Sequence, residues 1–318
     1  ATSSSINFSQ SSETISIGYY NESYYNLDSG EVSNISNADW DLAFQVSQYG
    51  ASIRINGANG TRLYVYPNGD TAAWSTVDTT DVSNWNSIYN SNSSWSTGAF
   101  NQNVVESDPF DYGWGTYSMI THFVSGDSLH IIKLSDNSFK KLHLQQLASG
   151  SYSFKYADLD GENEVSATIS KNDYENKNFA YYSLQTNEAI DREPVNDTWH
   201  LLFTKYYEEV GPGYYMSVSG ILTNNELNVA KVEEVQVDSA NQFAFIDSIY
   251  SSEIDAIGYN WKNHLGAGAY AVEDSLSYFV KDSSDKIWKI VMLAYSGGNF
   301  TFNKEVIELE PEPTGYNQ

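Results

Sequence analysis

The feature that most constrains this chain is a long-range repeat. Around Trp40 it reads SYYNLDSGEVSNISNADWDLAFQV, and around Trp199 it reads AYYSLQTNEAIDREPVNDTWHLLFTKY. Tyr24/Tyr181, Leu27/Leu184 and Glu31/Glu188 share an offset of 157 (181 − 24), while Trp40/Trp199 and Phe44/Phe203 follow at 159 (199 − 40). Gly113-Trp114-Gly115-Thr116-Tyr117-Ser118-Met119 is answered by Gly258-Tyr259-Asn260-Trp261-Lys262-Asn263-His264. Phe139-Lys140-Lys141-Leu142 is answered by Ile287-Trp288-Lys289-Ile290, and Phe154 by Phe302. Echoes kept in order over so long a period predict a duplicated domain, since solenoid and propeller units repeat every 20–50 residues or so. The expected division is 1–157, 158–310 and an acidic, Pro-containing tail at 311–318.

Aromatic residues (Tyr 25, Phe 14, Trp 8) separated by turn formers predict an all-β chain. Trp40, Leu42, Phe44 and Val46 alternate with Asp41, Ala43 and Gln45, the pattern of a half-buried strand. Hairpins are predicted at 129–144, around Ser135–Ser138, and at 276–293, around Lys281–Asp285. Residues 82–99 read as a long loop or short hairpin, and 157–164 as a solvated acidic linker between the halves, with a calcium loop as the weaker reading. A net charge of −25 repels phosphate backbones and argues against nucleic acid. With no cysteine, a disulfide scaffold or a thiolate site is excluded. No apolar run reaches the roughly 20 residues of a membrane span. The start Ala-Thr-Ser-Ser-Ser reads as a processed secretory end, placing the chain outside the cell or on its surface.

The ordered set Tyr24, Leu27, Gly30-Glu31-Val32, Asp39-Trp40-Asp41-Leu42-Ala43-Phe44, Gly113-Trp114 and Phe139-Lys140-Lys141-Leu142 resembles the HmuY-like family of extracellular haem-binding proteins of Bacteroidetes-type bacteria. The resemblance covers nearly the whole chain. It implies two tandem, mostly antiparallel two-sheet domains that capture haem and pass it on, with an outer-membrane receptor or a host haem protein as partner. It also implies an axial iron ligand six residues past the Gly of Gly-Trp. That is Met119 (113 + 6) in the first half and His264 (258 + 6) in the second, with His122 competing for the first site. Trp114, Tyr117, Tyr259 and Trp261 are the expected lining. The upstream segments 82–109 and 237–257 hold neither His nor Met, which departs from a six-coordinate pattern. Five-coordinate haem, a Tyr ligand, or a haem-independent module for a glycan, another small molecule or a protein remain as alternatives.

The other histidines weigh less. His200 and its counterpart Asp41 are expected at the surface, because a position that tolerates both is seldom a ligand. No catalytic motif is present, and no zinc pattern joins the five His. The chain is therefore expected to be a binding protein and not an enzyme.

Overall fold

The computed structural model describes residues 11–308; the expected tail at 311–318 and the Ala1 start lie outside them. The first half of the chain forms β1 (Ser11–Ser16), β2 (Asn21–Asn26), β3 (Gly30–Ser36), β4 (Leu42–Gln45), β5 (Ile53–Ile55), β6 (Arg62–Val65), β7 (Gly115–Tyr117), β8 (Val124–Gly126), β9 (His130–Lys133), β10 (Phe139–Ala148) and β11 (Ser151–Asp158). The second forms β12 (Val165–Ser170), β13 (Phe179–Ser183), β14 (Glu188–Ile190), β15 (Leu201–Gly211), β16 (Tyr214–Thr223), β17 (Asn228–Val232), β18 (Tyr250–Ser251), β19 (Lys262–Gly266), β20 (Ala269–Val272), β21 (Ser277–Lys281), β22 (Ile287–Ser296) and β23 (Asn299–Ile307). Helical structure among the described residues is limited to short 3-10 turns, so the chain is all-β and its sheets are antiparallel.

Strand pairing crosses between the two halves. β2 pairs with β15, setting Tyr24 opposite Leu202 and Ser23 opposite Phe203. β13 pairs with β4, setting Tyr181 opposite Ala43 and Ala180 opposite Phe44. Tyr24 and Tyr181 are one offset apart, as are Ala43 and Leu202 (202 − 43 = 159), so the two pairings have the same register. The exchange extends to the flanking strands. β1 joins the sheet β1-β23-β22-β21-β17-β18, while β12 joins β12-β11-β10-β8-β7, which also carries β9 and β6 through β10. Two four-stranded sheets, β14-β13-β4-β5 and β16-β15-β2-β3, contain the crossed pairings.

Three apolar clusters account for most of the burial. Phe44, Trp114, Leu142 and Phe154 lie in one, and Phe203, Trp261, Ile290 and Phe302 lie in a second. The third sits at the exchange, built from Tyr24, Trp40, Trp95, Tyr181, Trp199 and Leu202. Consequently β4 is buried on both faces: Leu42 and Phe44 face the first cluster, Ala43 the third. This corrects the half-buried strand expected from the alternation, which holds only when one face meets water.

Residues 158–164 also differ from expectation. They form the turn between the paired strands β11 and β12, closed by Gly161 N–H donating to Asp158 O (2.9 Å) and by the ion pair Lys140–Asp158 (2.7 Å). The segment is a hairpin turn within one sheet and not a linker. Residues 82–98 form a 3-10 turn (Val82–Asn84) followed by loop, pinned by Arg54 donating to the carbonyls of Ser91 (2.8 Å) and Ser94 (2.9 Å).

Candidate functional site

The exchange junction is held by bonds that recur at repeat positions. Asp41 accepts the Leu184 N–H at 2.8 Å, and His200 Nδ1 accepts the Leu27 N–H at 2.9 Å. Leu27 and Leu184 follow the exchanged strands directly, so each acceptor ties down the end of a strand from the other half. Asn56 Nδ2 donates to the carbonyls of Asn37 (2.7 Å) and Trp40 (2.9 Å); Asn224 Nδ2 donates to those of Asn196 (2.7 Å) and Trp199 (2.9 Å). Asp41 is fully buried and His200 half-buried, which corrects their expected surface position. The reason is that each side chain satisfies a backbone donor that the exchange would otherwise bury unpaired.

Aromatic edges repeat as well. Tyr24 meets Trp199 and Tyr181 meets Trp40, both edge-on with centroids 5.0 Å apart, and the Tyr24 and Tyr181 hydroxyls lie 3.4 Å apart. Around them is a buried polar network. Arg192 pairs with Glu22 and with Asp39 (3.2 Å), and Tyr181 OH donates to Glu193 (3.0 Å). Burial pushes the Glu193 carboxyl up to about 7 against the N–H groups of Asn178 and Phe179 and the Tyr181 hydroxyl, which it accepts.

The expected ligand residues lie on two hairpins in different sheets. In the first, β7–β8, Tyr117 and His122 share a hydrogen bond of 2.8 Å (phenol oxygen to Nδ1), with His122 held in the left-handed region at φ 59°. Met119 (67% exposed) and Ile120 (93%) sit in the turn between these strands. In the second, β19–β20, the exposed His264 faces Tyr270 at 5.0 Å between ring centres, and Leu265 is exposed at its tip. Trp114 and Trp261 are core residues, fully buried. The Trp114 indole donates to Ala51 O and that of Trp261 to Gly258 O, both at 3.1 Å. Tyr259 is half-buried, its phenol pushed up by burial and by Glu208.

Both tryptophans immediately precede the first strand of their hairpin. Their match shifts the register of this echo by two residues from the Gly113/Gly258 alignment (261 − 114 = 147 against 258 − 113 = 145). On the structural register Tyr117 (114 + 3) and His264 (261 + 3) correspond. Each hairpin thus carries one Tyr–His pair with its members interchanged. The sequence signal for this was Trp-x-x-Tyr against Trp-x-x-His, which the Gly-based alignment hid. Among the described residues no group of three or more His, Asp or Glu side chains is placed to hold a metal ion.

A cleft that the sequence did not point to opens beside the junction. β15 pairs with β2 only over Leu201–Phe203, and the edge beyond leaves a gap. Its empty volume is about 650 Å³, part of which is open to solvent. Trp40, Trp95, Phe179 and Leu202 form its apolar wall, with Arg54, Lys205 and Tyr206 as polar members.

No family model and no curated protein matches the chain. Among solved structures, the chain is similar to the apo HmuY analog of Tannerella forsythia at 11% identity, over 94% of this chain and 96% of that one, with a TM-score of 0.32. No helix of the described residues is long and apolar enough to cross a membrane.

Proposed function

We infer that this chain is a non-enzymatic binding protein acting outside the cell, built from two duplicated HmuY-like halves, and that its ligand is haem. The observation that carries the reading is the Tyr117–His122 hydrogen bond beside Met119, on an exposed turn. These donors fit haem: phenol, imidazole and thioether are all competent axial ligands, and here they fall within six residues of chain. Met119 and Ile120 offer the apolar surface that a porphyrin face needs. His122, hydrogen-bonded to the phenol, would orient Tyr117, and Tyr117 or Met119 would hold the iron. His264 beside Tyr270 is the corresponding donor set of the second hairpin. Haem, when bound, supplies the iron centre that these side chains ligate. A receptor or a haem-carrying protein would be the partner for transfer.

The test is a titration of the purified protein with hemin, followed by absorbance. A saturable Soret band is expected, weakened about tenfold or more in Tyr117→Phe, a loss of roughly 1.4 kcal/mol, with a second equivalent of hemin lost in His264→Ala. A broad, unsaturating spectrum would overturn the reading.

A further inference from the structure

The cleft beside the exchange junction carries an unusual charge for this protein. The chain has 41 acidic against 16 basic residues and only three arginines: Arg54, Arg62 and Arg192. All three gather here. Arg192 lies over Trp40 and Tyr181 (5.7 and 5.1 Å) and neutralises Glu22. Arg62 donates to the hydroxyls of Tyr89 (2.6 Å) and Tyr207 (2.9 Å), both of which line the mouth. Arg54 is buried 4.9 Å from the Trp95 ring, and it has no carboxylate partner among the described residues.

Lys205 is the more telling residue. It lines the cleft from the open edge of β15, is half-buried, and has no side-chain hydrogen bond or ion pair among the described residues; burial pulls its pKa down. Tyr206, the next residue of β15, turns to the opposite face, where its hydroxyl is buried beside Gly220 and Gly258 without a hydrogen-bond partner among the described residues. Partly buried cations and buried hydroxyls are seldom left unpaired, because the lost hydration is not returned. Of the acids around the cleft, Glu22 is paired with Arg192 and Glu208 accepts from Asn92 Nδ2 at 2.8 Å.

The polar lining also narrows the ligand class. Asn56 spends its amide on the carbonyls of Asn37 and Trp40, and Asn90 spends its own on the backbone of Ile55 and Ala99. Few groups remain for the many hydroxyls of a sugar. An aromatic wall and a cation without a partner among the described residues match a flat, apolar molecule with a single anionic end.

We propose that this cleft binds a small aromatic carboxylate, its ring against Trp40, Trp95 and Phe179 and its carboxylate on Lys205. The site is separate from the hairpin donors and does not depend on the haem reading. The probe is benzoate, followed by tryptophan fluorescence and calorimetry on the full chain. Benzoate is expected to bind saturably and about tenfold tighter than benzamide, a difference of roughly 1.4 kcal/mol. Lys205→Gln should erase that preference and Lys205→Arg should keep it. Three outcomes would overturn the proposal: no saturable binding of benzoate up to about 10 mM, well above a millimolar Kd near 4 kcal/mol; equal affinity for benzamide; or an unchanged preference in Lys205→Gln. Glucuronate binding as tightly as benzoate would overturn the aromatic class.

Discussion

The two sides of the exchange junction follow one plan but are not equally finished. On the first side the Trp40 indole donates to Asn37 Oδ1 at 3.1 Å. On the second side the counterparts, Trp199 Nε1 and Asn196 Oδ1, are both buried and lack partners among the described residues. The strand-end acceptor also changes, from the buried carboxylate of Asp41 to the imidazole of His200. The two sides therefore share a backbone arrangement and differ in side-chain chemistry. The first side is the tighter of the two, because each buried polar group left unmade costs about 1–3 kcal/mol.

The largest effect is expected where both sides share one charge. Arg192→Met leaves Glu22 buried without its partner, and uncompensated buried ions of this kind cost about 3–5 kcal/mol. Denaturant unfolding monitored by tryptophan fluorescence measures it, and a loss below about 1 kcal/mol would mean that Glu22 escapes to water or protonates. Next comes a direct contrast. Asn37→Ala should cost about 1–3 kcal/mol by stranding the Trp40 N–H, while Asn196→Ala should cost no more than about 0.5 kcal/mol, since no such bond exists there to lose. Equal losses would erase the asymmetry.

The smallest effect separates the acceptors by pH. Burial holds His200 below its ordinary 6.5, so the unfolded chain takes up this proton first, and the stability contribution present above pH 6.5 is lost as pH falls through the folded value. Asp41 is raised above 3.8 by burial and behaves oppositely: its contribution is fullest below pH 3.8 and falls as pH rises through the folded value. His200→Gln should therefore flatten the loss of stability that sets in as pH falls below 6.5, while Asp41→Asn should leave that loss in place. Stability curves for the three proteins at each pH decide it.

Much of the fold was legible because hairpin chemistry is local. Ser135–Ser138 and Lys281–Asp285 each sit between paired strands, as their composition required. The exchange was not legible, for a physical reason. Tyr24 and Tyr181 stand in equivalent strands, as do Ala43 and Leu202, so the pattern is equally satisfied by pairing within a half or across it. Asp41 and His200 were misread because a side chain bonded to a distant backbone N–H leaves no periodic trace. Tyr117, Met119, His122 and His264 were named through the family resemblance, but the contacts Tyr117–His122 and His264–Tyr270 were not foreseen. That Lys205 and Arg54 line one cleft was invisible, since they come from strands far apart in sequence.

That exchange also sets a timetable for the molecule as it is made. β2 ends at Asn26, and its partner begins at Leu201, 175 residues later (201 − 26). At translation rates of about 5–20 residues per second, β2 spends on the order of 10–35 s without the strand it pairs with. Tyr24 and Tyr25 stay unburied for that interval, and the apolar face of β4 waits for β13. A ribosome stalled before residue 201 should thus hold a nascent chain that is soluble only while something else covers those strands.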